Sequence, residues 1–254
     1  MPAERRPYIA GNWKMHKTRD EASACVKELV PLIERAEAVD VGVCAPFTAL
    51  AACVEAARGS QLRVLAQNMH EEDKGPYTGE ISPLMLRDIG VHGVVLGHSE
   101  RRTLFGETDK ALQRKLPAAL AAGLEPILCV GETEEEREEG ETERRLRHQV
   151  QEAFEDVSAA VVHRVVIAYE PVWAIGTGKV ATPEQAQDAI GFIRALVRDR
   201  YDEQIAEAMR VQYGGSVNDE NAADILGQPD VDGALVGGAS LDAETFARIV
   251  AAAS

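Results

Sequence analysis

Lys14, His98 and Glu170 each stand just past the end of a short apolar run, and together they could move a proton beside a carbonyl group. Glu170 is the most informative. Residues 165–169 form a continuous apolar run, as expected of a strand buried on both faces. The run stops at Glu170 because Pro171 has no backbone N–H and holds the residue before it extended. Trp173, Gly176 and Gly178 follow, before Thr182-Pro183-Glu184 opens a helical pattern. A lone acid ahead of a glycine-containing loop suits a general base beneath a lid, and a solvated glutamate in an ordinary strand-to-helix loop fits the stretch equally well. Other runs end at Gly11-Asn12-Trp13-Lys14-Met15, Gly97-His98-Ser99-Glu100-Arg101-Arg102, Gly214-Gly215-Ser216 and Gly237-Gly238-Ala239-Ser240. Glycine-rich exits that lead into helices, such as 218–226 and 243–253, offer backbone N–H groups to a phosphate without a metal. A glutamate facing a histidine and a lysine around that phosphate could take a proton while the other two stabilise an enediolate.

These residues need elements to hold them. Eight apolar runs lie near residues 8–10, 39–45, 62–66, 91–96, 126–130, 165–169, 209–213 and 233–236. Helical patterns between them include 21–35, 103–122, 134–154, 183–201 and 243–253. Strands alternating with helices give parallel units. Eight in about 250 residues fit an α/β chain folded as one closed (β/α)8 barrel spanning 1–254. An open doubly wound sheet is the alternative, weakened because no Gly-x-Gly-x-x-Gly follows the first run. In both architectures, functional residues gather where strands end, which is where Lys14, His98, Glu170 and the glycine pairs fall.

Composition narrows the class. The formal net charge of −15 disfavours nucleic acid, whose phosphates need a basic surface. An anionic substrate would have to be attracted locally. The acidic stretch from Glu132 to Glu143 reads as a solvated helix face. No run approaches the ~18 apolar residues of a membrane span, and the first residues lack a leader pattern, so a cytoplasmic location is expected. The four cysteines lie far apart, as reduced thiols would, and none of the six histidines has metal-ligand spacing. No metal is expected.

The ordered set of exits, with Ala168-Tyr169-Glu170-Pro171-Val172-Trp173-Ala174-Ile175-Gly176-Thr177-Gly178, Tyr213-Gly214-Gly215-Ser216 and Gly233-Ala234-Leu235-Val236-Gly237-Gly238-Ala239, closely resembles the triosephosphate isomerase family across the whole chain. That resemblance implies a cofactor-free aldose–ketose isomerisation of triose phosphates, a step of glycolysis and gluconeogenesis, on a TIM barrel. It implies Glu170 as base, His98 as a neutral electrophile whose pKa is lowered by the helix N-terminus after it, and Lys14 as the fixed positive charge; the family is a worked case of such tuning. Asn12 would bond the substrate oxygen, and backbone N–H groups of Gly176, Ser216, Gly237 and Gly238 would hold the phosphate. Glu100 and Ser99 would orient Lys14 and park Glu170. Trp173 lies within the lid, 172–181, and Val180 sits at a hinge position of it. Tyr213 and Ser216 would latch the lid through Ala181 and Gly178. The long connection at 67–80 would dock into a second copy, with Thr78 reaching the partner subunit's Asn12 and Met15 nearby, giving a homodimer. Other phosphate-binding barrels that act as lyases, and a barrel without turnover, are disfavoured because Lys14, His98 and Glu170 are all present.

Overall fold

A computed structural model describes residues 5–253, so the expected 1–254 domain runs past the described residues at 1–4 and 254. Eight parallel strands close a barrel in chain order: β1 (Tyr8–Asn12), β2 (Asp40–Ala45), β3 (Arg63–Ala66), β4 (Gly93–Leu96), β5 (Glu125–Val130), β6 (Val166–Tyr169), β7 (Arg210–Tyr213) and β8 (Gly233–Val236). The ring closes where Ile9 of β1 pairs with Ala234 of β8. Fully closed strands leave no edge to solvent, and each has two buried faces, which is why the runs read as continuously apolar.

Successive side chains point to opposite faces of a strand. Tyr8, Ala10, Cys44, Leu65, Ile127 and Val166 fill the barrel interior, while Ile9, Val43, Val64 and Ile167 pack outward against the helices. Each valine, leucine or isoleucine among them contributes about 1.5–3 kcal/mol on burial. All four cysteines are free and buried, and burial pushes the Cys44 thiol far above its ordinary range, so it is chemically quiet.

The base of the barrel is closed by charge. Asp40, Arg63, Glu125 and Arg210 each begin a strand. Arg63 bridges Asp40 at 3.0 Å and Glu125 at 2.5 Å, and Arg210 bonds Asp40 at 2.6 Å and also Glu125. Both guanidinium groups lie over the Tyr8 ring, at 5.4 and 5.0 Å from its centroid.

The helical layer comprises α1 (Arg19–Ile33), α2 (Leu50–Ala56), α3 (Pro83–Ile89), α4 (Ser99–Phe105), α5 (Asp109–Ala121) and α6 (Glu134–Glu138). It continues with α7 (Thr142–Ala153), α8 (Ala159–Val162), α9 (Pro183–Arg200), α10 (Glu203–Ala208), α11 (Ala222–Leu226) and α12 (Ala243–Ala251). Two expected helices are each split. The 103–122 pattern breaks where Gly106, at φ +67°, ends α4 in a left-handed cap and Thr108 caps α5. The 134–154 pattern breaks at Gly140, at φ +73°. No helix among the described residues is long and apolar enough to cross a membrane.

Candidate active site

A cavity of about 340 Å³ opens at the C-terminal ends of the strands. Asn12, Lys14, His98 and Glu170 line it, facing the backbone of Gly176, Ser216, Gly237 and Gly238. Residues separated by more than 150 positions in the sequence therefore share one small space because each sits at a strand exit.

Lys14 is aimed by a local contortion. Its φ of +52° is left-handed, which a non-glycine residue adopts at a cost of order 1–3 kcal/mol. Asn12 Oδ1 accepts the Lys14 N–H at 3.0 Å, and Gln67 Nε2 donates to the carbonyls of Lys14 and Cys44, each at 2.9 Å. Across the mouth, Lys14 Nζ reaches Glu100 Oε1 at 2.6 Å.

His98 caps α4. Its Nδ1 accepts the Glu100 N–H at 3.2 Å, so the neutral ring carries its proton on Nε2, which lies 2.9 Å from Glu170 Oε1. The other carboxylate oxygen of Glu170 accepts the Ser99 N–H at 2.8 Å. Glu170 is 2% exposed. Its backbone N–H donates to Val130 O at 2.7 Å, and a Cβ on Gly214 would come within 2.9 Å of its Cγ. The site thus tolerates no side chain there.

The backbone after β7 and β8, expected to lead straight into helices, is built differently. After β7 the chain turns around Asn218, whose Oδ1 accepts the N–H groups of Glu220 and Asn221 at 3.0 Å each, and α11 starts only at Ala222. After β8 a short 3-10 turn, Gly238–Leu241, intervenes, and the N-terminus of α12 is capped by Asp242, which takes the Thr245 N–H at 2.8 Å. Loop and 3-10 backbone therefore line the cavity, and the Thr245 N–H of α12 is taken by its own cap.

The triosephosphate isomerase family model matches residues 7–253. The chain belongs to the triosephosphate isomerase family. It is 53% identical over 246 residues to a triosephosphate isomerase of Carboxydothermus hydrogenoformans, covering 97% of this chain and 98% of the relative. It is 56% identical to that of Moorella thermoacetica, again over 97% and 98% of the two chains, and 52% identical to that of Syntrophotalea carbinolica over the same shares.

Within this triosephosphate isomerase fold the Glu170 carboxylate and the His98 imidazole perturb each other. Burial pushes the Glu170 carboxyl up, but His98, the Ser99 N–H and Arg102 outweigh it and hold it below the usual carboxylate range. Glu170 is therefore ionised at neutral pH. Burial and Lys14 push His98 down, yet the carboxylates of Glu170 and Glu100 win, and the ring sits above its ordinary value. This corrects the expectation of a lowered His98, which considered the α4 N-terminus and not a carboxylate resting on Nε2. Nitrogen NMR of the ligand-free protein should give a His98 midpoint above about 6.5. A ligand inserted between the two side chains should lower that midpoint by taking the carboxylate away. A midpoint below 6.5 without ligand would contradict the pairing.

In this triosephosphate isomerase family member the segment expected to be a lid, 172–181, borders the cavity at Ile175 and Gly176. Residues 176–180 are exposed, Lys179 pairs with Glu134, and Thr177 Oγ1 donates to Trp173 O at 2.7 Å. The expected latch is not made in this position. Tyr213 Oη has no hydrogen bond, although the Ala181 N–H lies close enough to oppose the burial that pushes the phenol up to about 12. No hydrogen bond joins Ser216 to Gly178 among the described residues.

Sequence reasoning passed over the exit of β5. Glu132, read there as part of a solvated face, is fully buried and accepts from Trp173 Nε1 at 2.8 Å, Tyr169 Oη at 3.0 Å and Arg137 at 3.2 Å. Its place two residues past Val130, at a strand exit, was the available signal. Glu107 was also missed. It pairs with the buried Lys115 and accepts the Gly97 N–H at 3.1 Å, supporting the turn into His98.

Proposed function

We propose that this chain interconverts dihydroxyacetone phosphate and glyceraldehyde 3-phosphate, a step of glycolysis and gluconeogenesis, without a cofactor and in the cytoplasm. The observation that carries this reading is the convergence of Glu170, His98 and Lys14 on one cavity whose far side is glycine and serine backbone. The substrate phosphate sits on Gly176, Ser216, Gly237 and Gly238. Its carbonyl oxygen lies between the His98 Nε2–H and Lys14, with Asn12 beside it. Glu170 leaves His98 and the Ser99 N–H, takes a proton from one carbon and returns it to the neighbour, while the hydroxyl proton passes from one substrate oxygen to the other beside His98. Charge developing on oxygen meets preset donors, which need no reorganisation as the reaction proceeds. A coupled assay of purified protein with glyceraldehyde 3-phosphate tests the reading. A folded protein that does not turn it over overturns it.

The same reading includes a homodimer. Met15 is 94% exposed, with Leu104 and Phe105 at 71% and 67% and Met85 and Leu84 about half exposed. A second cavity of about 200 Å³, lined by Met15, Gln67 and Phe105 among others, opens beside Asn12 and Lys14. The 67–80 loop supports a protruding insert, with His70 and Tyr77 rings 4.2 Å apart and Thr78 exposed at the surface. Apolar side chains so exposed around a pocket favour a second copy as occupant. Sedimentation at micromolar concentration should give twice the 27.5 kDa chain mass. Shortening the loop should give monomers of poor activity, because Asn12 and Lys14 lose their outer support. Fully active monomers would remove the loop from catalysis.

A further inference from the structure

The exit of β5 supports the site at three successive residues. Val130 O receives the Glu170 N–H at 2.7 Å, and Glu132 O receives the Val172 N–H at 3.1 Å. Between them lies Gly131, where a Cβ would overlap the Glu170 carbonyl. The two backbones are in direct contact, with no side chain between them to absorb a displacement. Whatever fixes Gly131 fixes the start of the lid and the backbone of Glu170 together.

What fixes it is one side chain from the outer layer. Gln149 of α7 is fully buried, its Oε1 accepts the Gly131 N–H at 2.8 Å, and its Nε2 donates to Gly131 O at 3.3 Å. The amide satisfies both backbone groups of one residue, as a neighbouring strand would. It does so just past the last β5–β6 pair, Val130 with Tyr169. Burying a primary amide is costly unless both its ends are bonded, and here both are.

We infer that Gln149 is a positioning residue for the isomerisation, a two-point clamp that sets the 130–132 segment against 170–172. It touches no substrate. It acts through Gly131 on the backbone of Glu170, and through Glu132 on the indole of Trp173 at the root of the lid. The clamp rests on the reaction proposed above for its kinetic consequence, but its geometric consequence at Trp173 does not depend on turnover.

Gln149→Leu removes both bonds at nearly constant volume. Because ~1 Å of misplacement can cost on the order of 10²-fold, kcat should fall at least about 10-fold, with KM little changed since the phosphate contacts are elsewhere. The chain has two tryptophans, so 5-fluorotryptophan NMR gives two resonances, assigned with Trp173→Phe. The Trp173 signal should shift and the Trp13 signal should stay. In a folded variant, either an unshifted Trp173 resonance or a kcat within about threefold of the unchanged chain overturns the inference, whatever happens to the melting temperature. If the leucine variant does not fold, Gln149→Asn, which keeps the amide but withdraws it by one methylene, is judged by the same two readouts. Should the unchanged chain not isomerise at all, the reaction proposal fails and the Trp173 shift alone decides on the clamp.

Discussion

Glu170→Asp should lower kcat by at least about 10²-fold and leave the affinity for a phosphate-bearing competitive inhibitor nearly unchanged. The substitution shortens the side chain by one methylene and keeps its charge. The backbone cannot advance to make up the difference, because the Glu170 N–H is bonded to Val130 O at 2.7 Å and the Gly214 side leaves no slack. The shortened carboxylate would also lose reach toward the Ser99 N–H and His98, which now hold it at 2.8 and 2.9 Å. Inhibitor affinity should be spared, because the backbone proposed to take the phosphate lies on the opposite wall. Steady-state kinetics beside an inhibition constant separates the two effects. Near-normal kcat in this variant would take Glu170 out of the mechanism.

Deleting residues 175–178 should change what the protein makes as well as how fast. An enediolate with a phosphate on the adjacent carbon can expel that phosphate, so the intermediate has to be held until it is reprotonated. Loop closure excludes water and would bring the Gly176 N–H onto the phosphate. Loss of one such preset donor costs about 10²–10³ in rate. Isomerisation should fall by at least that factor, while methylglyoxal and inorganic phosphate appear as products. The barrel should remain folded, since residues 176–178 are exposed. Full-rate isomerisation without methylglyoxal would reduce this segment to an ordinary connection.

The barrel was legible because its signals are local. Eight apolar runs, seven ended by glycine, proline or a charged residue and one by Gln67, report strands whose two faces are both buried. The residues just past them are the ones the closed sheet gathers at one mouth. Gly106 and Gly140 were misread for the opposite reason. Both sit inside otherwise helical patterns, and only the left-handed φ at each shows that the helix ends there. Glu132 and Gln149 look like members of charged or polar helix faces, and their burial is decided by β5, β6 and α7 meeting in space. The His98 shift was invisible for a similar reason. A helix N-terminus can be read from sequence, but a carboxylate resting on the other ring nitrogen, contributed 72 positions later, cannot.

The charged closure at the base of the barrel has a consequence for isotopes. With Asp40, Arg63, Glu125 and Arg210 sealing one end and Tyr8, Leu65 and Ile127 filling the shaft, Glu170 faces the cavity at the other end. A hydrogen taken from the substrate and carried by that carboxylate has no rear exit. While the lid is down, it can return to the carbon it left or move to the neighbour, and it trades places with solvent only when the lid lifts. The survival of a hydrogen label through one turnover would therefore be a clock for the lid, running against the lifetime of the intermediate.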